Sequence, residues 1–210
     1  MNRGAAMAKR VMKKSKPAYD FKNVKVSRLP PLPEPLDSII EGLFEDTTSR
    51  GGHILNLHLT KAHAPKLSQA GRPYTRALRS DCVSPRLLRE MAIVRMSILV
   101  GCVYELHHHY PLLLKAGASE AQFQALIDWR PQSHLFDARQ QALLAYVDCL
   151  GLHKGEVDDA TFAAMEKYFS PQEIVELTLC ATTYYGSGLF MKAMKIRMDD
   201  AHKQAAPGKF

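Results

Sequence analysis

Residues 86–117 read RLLREMAIVRMSILVGCVYELHHHYPLLLKAG, two apolar runs of helical period that meet at Gly101. In the first run Leu88, Met91, Ile93, Val94, Ser97, Ile98 and Leu99 form a stripe broken by Arg89, Glu90 and Arg95. That is the pattern of a mostly buried amphipathic helix. In the second, Val103, Leu106, His107, Tyr110 and Leu114 recur at helical spacing. Cys102, Glu105 and His109 fall at i, i+3 and i+7, so a thiol, a carboxyl and an imidazole share one helical face.

The path of the chain at Gly101 decides what these groups can meet. A single straight helix would hold Glu90 about 18 Å from Cys102, at ~1.5 Å of rise per residue. A reversal at residues 99–101, allowed by the backbone freedom of glycine, makes an αα-hairpin instead. Glu90 and His109 lie about equally far from that turn, so the expectation is that they come within direct or one-water hydrogen-bonding reach.

The same periodicity predicts further helices over 36–44, 53–62 and 65–78, the last bent or split at Gly71-Arg72-Pro73. Ser84-Pro85 reads as a cap and first helical residue opening the hairpin. Beyond it, helices are expected over 119–127, 137–150 and 158–169, and a long apolar one after Ser170-Pro171. Residues 128–134 read as a loop, with Trp129 in a packing role. The proline-rich stretch 28–35 must lie extended. No strand alternation occurs, so the fold class is all-α, a helical bundle organised around a core αα-hairpin.

Charge divides the chain. Arg3, Lys9, Arg10, Lys13, Lys14, Lys16, Lys22 and Lys25 stand against Asp20 alone, so the formal charge of +7 resides in the first residues and the body is neutral. This argues against nucleic-acid binding by the body and for a disordered basic tail over 1–28, a domain over 29–196 and a C-terminal tail over 197–210. An acid-poor basic leader also suits organelle targeting, while the chain otherwise reads as cytoplasmic. No apolar run is long enough to span a membrane. Cys82, Cys102, Cys149 and Cys180 are widely spaced, which points to reduced thiols rather than a disulfide framework.

The pattern L-R-E-x11-C-x-Y-E-x3-H, followed by Ala116-Gly117, resembles the core motif of the carboxymuconolactone decarboxylase and alkylhydroperoxidase D family. The peroxidase branch of that family carries a redox C-x-x-C, a glutamate ahead of it and a histidine after it. Glu90, Cys102 and His109 match three of those positions, but Glu105 stands where the second cysteine would be. In this the chain resembles the decarboxylase-like branch, with Tyr104 and Glu105 matching a Y-E-W motif and Leu106 replacing the tryptophan. The resemblance implies an AhpD-like bundle that assembles as a trimer or hexamer, with catalytic residues among His109, Glu90, Glu105 and Cys102.

Three functions remain open on the sequence. The first is an enzyme performing acid–base chemistry, decarboxylation or proton transfer, on a small organic acid or lactone, with His109 carrying the proton and Glu90 and Glu105 favouring its charged form. The second is a peroxiredoxin or alkylhydroperoxidase-type antioxidant using Cys102, which would lack a neighbouring resolving thiol. The third is a non-catalytic helical oligomer in which a Glu-His-Glu network only ties the hairpin together. No cofactor or metal is expected. The successive histidines 107–109 point about 100° apart on a helix, and a divalent ion on Glu90, Glu105 and His109 is only a minor alternative.

Overall fold

The computed structural model describes residues 24–200, and most of the expected basic tail and of the C-terminal tail lies outside them. Nine α-helices form the described body: α1 Ser38–Ser49, α2 Asn56–Lys61, α3 Pro65–Ser80, α4 Arg86–Val100, α5 Val103–Lys115, α6 Glu120–Ala125, α7 Ala138–Leu152, α8 Asp159–Tyr168 and α9 Pro171–Met194. A 3-10 turn, Arg130–Leu135, precedes α7. The fold is all-α, with no strand among the described residues.

Short polar side chains open most of these helices by accepting otherwise unpaired first-turn amides. Asp37 accepts from Ile39 N at 2.8 Å, Asp137 from Gln140 N at 2.8 Å and Asp158 from Thr161 N at 2.8 Å. Ser119 and Ser170 do so with a glutamine or glutamate reaching back, the reciprocal arrangement that fixes the entry of α6 and α9.

Helix α4 is the axis of the bundle, packed against α5, α7 and α9. Residues 88–97 of α4 are all buried, Arg89, Glu90 and Arg95 included. Buried charges must be paired. Arg95 Nε bonds Asp148 Oδ1 of α7 at 2.7 Å, while its Nη1 donates to the carbonyls of Leu126 and Ile127. Trp129 donates from Nε1 to the other oxygen of Asp148 at 3.0 Å and is buried, so it is a packing residue.

At Gly101 the chain reverses. Its φ of 67° and ψ of 40° are left-handed. Cys102 N donates to Ser97 O at 2.8 Å and Gly101 N to Ile98 O at 3.0 Å, the paired bonds of a Schellman stop. Helix α5 then runs back along α4, forming the expected hairpin.

Helix α2 begins at Asn56 rather than at 53, and four further readings differ from the structure. Helix α1 continues to Ser49 because Thr47 and Thr48 turn their hydroxyls back onto Leu43 O and Phe44 O. Helix α3 runs unbroken through Pro73, held by Arg72, which donates to Leu43 O and Thr47 Oγ1 of α1. Ser84 does not cap α4, whose N-cap is Pro85; its amide and that of Val83 donate instead to the Glu176 carboxylate. The domain limits of 29 and 196 are too narrow. Val26 is buried against Ile40, Phe44, Leu59 and Ala62, Arg28 N donates to Met194 O, and Arg197 N donates to Val26 O. Asp199 in turn accepts from Asn56 N at 2.7 Å, so chain on both sides of the predicted domain belongs to the body. Among the described residues no helix is long and apolar enough to cross a membrane.

Candidate functional site

The hairpin turns the sequence separation of Glu90 and His109 into contact. Glu90 lies on the central helix with no exposed surface, and His109 faces it from α5. His109 Nδ1 and Glu90 Oε2 are 2.7 Å apart. On the other side of the ring, Nε2 stands 3.4 Å from Glu105 Oε2, one turn earlier on α5. The imidazole thus sits between two buried carboxyl groups, each touching a different ring nitrogen.

The two carboxyls are held differently. Glu90 Oε1 forms an ion pair with Arg86 one helical turn earlier, although the angles are not those of a hydrogen bond. Burial pushes the Glu105 carboxyl above its ordinary range, against the opposing pull of His109, His108 and Lys61. The 2.7 Å contact with Glu90 Oε2 suits an N–H at Nδ1. The Nε2 side then faces Glu105, whose carboxyl burial shifts toward retaining a proton, so Nε2 and Glu105 are matched for sharing one proton.

Tyr184 of α9 completes the enclosure. Its ring meets the His109 imidazole edge-on, centroids 4.8 Å apart at 84°. Burial pushes its phenol well up, and Glu105, Cys180 and Glu90 push the same way, so the hydroxyl stays protonated. Lys61 of α2 lies near Glu105; burial lowers its ammonium while that carboxyl opposes the shift. Neither residue belongs to a recognisable motif. Each is separated from the hairpin by elements that only the tertiary fold brings back.

Cys102 occupies the N-cap of α5 and is 2% exposed. Burial raises its thiol, with the amides of Glu105 and Tyr104 pulling the other way. Its Sγ faces Met191 Sδ at 4.0 Å, within a cluster that includes Tyr104, Leu57 and Phe190. The described contacts therefore join Glu90, Glu105 and His109 but place Cys102 in a separate apolar environment at the start of the same helix. Cys180 is buried on α9, and burial raises its thiol to about 12.

The three successive histidines diverge. His108 stacks on Tyr104 with ring centroids 4.5 Å apart and places Nε2 3.0 Å from Asp199 Oδ2. Tyr104 also donates to Asp199, which clasps the last described residues onto α5. Only His109 lies between Glu90 and Glu105. Among the described residues no group of three histidine, cysteine, aspartate or glutamate side chains is placed to hold a metal ion.

Solved structures share this fold. A peroxidase-related protein from Ralstonia eutropha JMP134, with an alkylhydroperoxidase AhpD core, superposes with a TM-score of 0.73 at 22% identity, over 88% of this chain and 99% of that one. A peroxidase-related protein from Silicibacter sp. TM1040 gives 0.73 at 18% identity, over 86% and 96%. The debrominase Bmp8, in complex with 2,3,4-tribromopyrrole, gives 0.67 at 17% identity, over 89% and 97%. The architecture is therefore that of the AhpD-like helical proteins. Residues 65–148, a segment that contains the whole hairpin, match the Carboxymuconolactone decarboxylase family. No curated protein matches it by sequence.

Proposed function

We infer that the chain is an enzyme of acid–base chemistry, protonating a carbanion or enol formed from a small organic acid or lactone. The observation that carries this reading is the buried imidazole held at 2.7 Å by Glu90 on one nitrogen and facing Glu105 at 3.4 Å on the other. Glu90, with Arg86 behind it, orients the ring and holds the proton on Nδ1. Nε2 is the exchanging position. It passes to the substrate carbon the one proton it shares with Glu105, whose carboxyl burial shifts toward the protonated form. The proton finally returns from water, so the residues finish unchanged. A group that works in this way has to be held by a partner, and Glu90 and Glu105 hold this ring from both of its nitrogens.

The thiol reading has one supporting observation, the amides of Tyr104 and Glu105 beside Cys102 at the start of α5. Helix N-termini favour thiolate, but here burial prevails and raises the thiol. Assembly into a homo-oligomer, trimeric or hexameric by the family resemblance, belongs to the same proposal. So does a cytoplasmic setting.

The test is turnover of single variants on a panel of small carboxylated lactones and, separately, on peroxide with a thiol reductant. His109→Ala should abolish lactone turnover, and Glu90→Gln should lower it while leaving measurable activity. Cys102→Ser should retain most of it, since serine keeps size and polarity. An inactive Cys102→Ser beside a partly active His109→Ala would overturn the acid–base mechanism in favour of the thiol.

A further inference from the structure

Lys61, the last residue of α2, is a half-buried cation with no acid of its own. Among the described residues its ammonium makes no ion pair and no hydrogen bond, and it lies over the Phe190 ring of α9, 5.9 Å from the centroid. A ring face attracts a cation but does not neutralise it. Arg72, Arg86 and Arg139, half-buried like Lys61, each have a carboxylate, from Asp46, Glu90 and Glu173.

Two contacts bring the unmatched charge to the buried site. Leu57 N, one helical turn before Lys61, donates to Tyr104 Oη at 3.4 Å, which ties α2 to α5 next to Glu105. Leu57 and Phe190 also pack in one cluster, so the face of α2 that carries Leu57 and Lys61 lies against α5 and α9. Burial is the largest influence on both Lys61 and Glu105, yet each also feels the other, the ammonium drawing the carboxyl down and the carboxyl drawing the ammonium up. Exposure rises in the same direction. Glu90 has none, Glu105 and His109 keep 6% each, and Tyr184 and Lys61 are half-buried. The imidazole and its carboxyl are therefore reached from the side on which Lys61 and Tyr184 stand.

A second cation guards that side. Arg79 of α3 is exposed, has no ion pair among the described residues, and is near enough to repel the Lys61 ammonium and to act on the Tyr184 phenol. The acid nearest to hand, Glu105, is the one that burial shifts toward its neutral form. The open side of the site thus carries positive charge that its own residues leave uncompensated, which suits an anion arriving from solvent.

We propose that Lys61 is the seat of the substrate's carboxylate, its ammonium binding that group beside Glu105 and so presenting the adjoining carbon to His109 Nε2. The proposal rests on the acid–base reading of the site, which supplies the group that the substrate is presented to. An ammonium is a compact point charge whose hydrogen bonds to a carboxylate are charge-assisted and stronger than neutral ones. Lys61 acts by binding and orientation, while the proton moves at His109.

Binding tests the seat separately from turnover. The probes are a γ-butyrolactone carrying one carboxylate and its methyl ester, which keeps the ring and loses the charge, each titrated calorimetrically into the full chain. The wild type should bind the acid at least about tenfold more tightly than the ester. Lys61→Met, which keeps an apolar stem over Phe190, should bind the two alike, and Lys61→Arg should restore most of the preference. His109→Ala should keep the preference, since it removes the proton carrier and leaves the seat. Failure of the acid–base reading alone would show as chains inert on lactones that still prefer the acid. A wild type that binds neither probe, or both equally, overturns the proposal, and so does a Lys61→Met chain that keeps the preference.

Discussion

His58 shows how one half-buried side chain can set the acid limit of the fold. Its Nδ1 accepts the Leu55 amide at 3.2 Å, fixing the start of α2. Burial, with Arg72, Lys61 and Arg79 adding cationic repulsion, lowers it from 6.5 to about 4. The folded value lies below the unfolded one, so the unfolded chain takes up a proton first as pH falls. The neutral ring's contribution is complete above the unfolded value and is lost on the way down to about 4. That loss is worth about 2–3 kcal/mol at most. Denaturant unfolding of wild type and His58→Gln at about pH 7 and about pH 4.5 should show the wild type losing more stability, because the amide does not titrate there. At this scale the candidate site was half legible. Glu90 and His109 could be paired from their symmetric placement about Gly101, and Glu105 from its helical register with His109. Tyr184 and Lys61 had no such local signal, because a long-range neighbour leaves no trace in spacing.

Among the elements, the helices themselves were legible where apolar period and cap residues agreed, as at Asp137, Asp158 and Ser170. They were misjudged where a distant partner prevailed. Pro73 argued for a break in α3 that the Arg72 bonds to α1 override. Ser84 looked like a cap, but its amide is taken by Glu176 from α9. Helix-to-helix distance is likewise invisible in period, and two helical glycines measure it with opposite sign. A Cβ at Gly188 would lie 3.0 Å from Val100 Cγ1 and 3.3 Å from Cys102 Cβ, so α9 crosses the hairpin turn at glycine contact. Gly188→Ala should lower stability, since crowding of about 1–3 kcal/mol outweighs a helix-propensity gain of roughly 0.5–1 kcal/mol. Gly71→Ala, in open space on α3, should raise stability by roughly that gain. Thermal melts of the two variants at matched concentration would expose an error in either sign.

For the whole molecule, the all-α class followed from the uniform helical period, while the extent of the domain did not. Segments too short for any periodicity close the body at both ends, and only their partners reveal them. Residue 26 is bonded to 197 and residue 28 to 194, in antiparallel order, through backbone atoms 2.9 Å apart. The described chain is therefore almost a ring, open at one place where its two ends lie side by side. A ring can be cut elsewhere. Joining residue 200 to residue 24 through a few glycines and opening the exposed turn between Lys154 and Gly155 should give a circular permutant with the same bundle. New ends are tolerated where backbone is solvated and few contacts cross. Its helical circular dichroism and cooperative melt should match the parent's; a permutant that expresses only as aggregate would show that the ends must be free for the body to close.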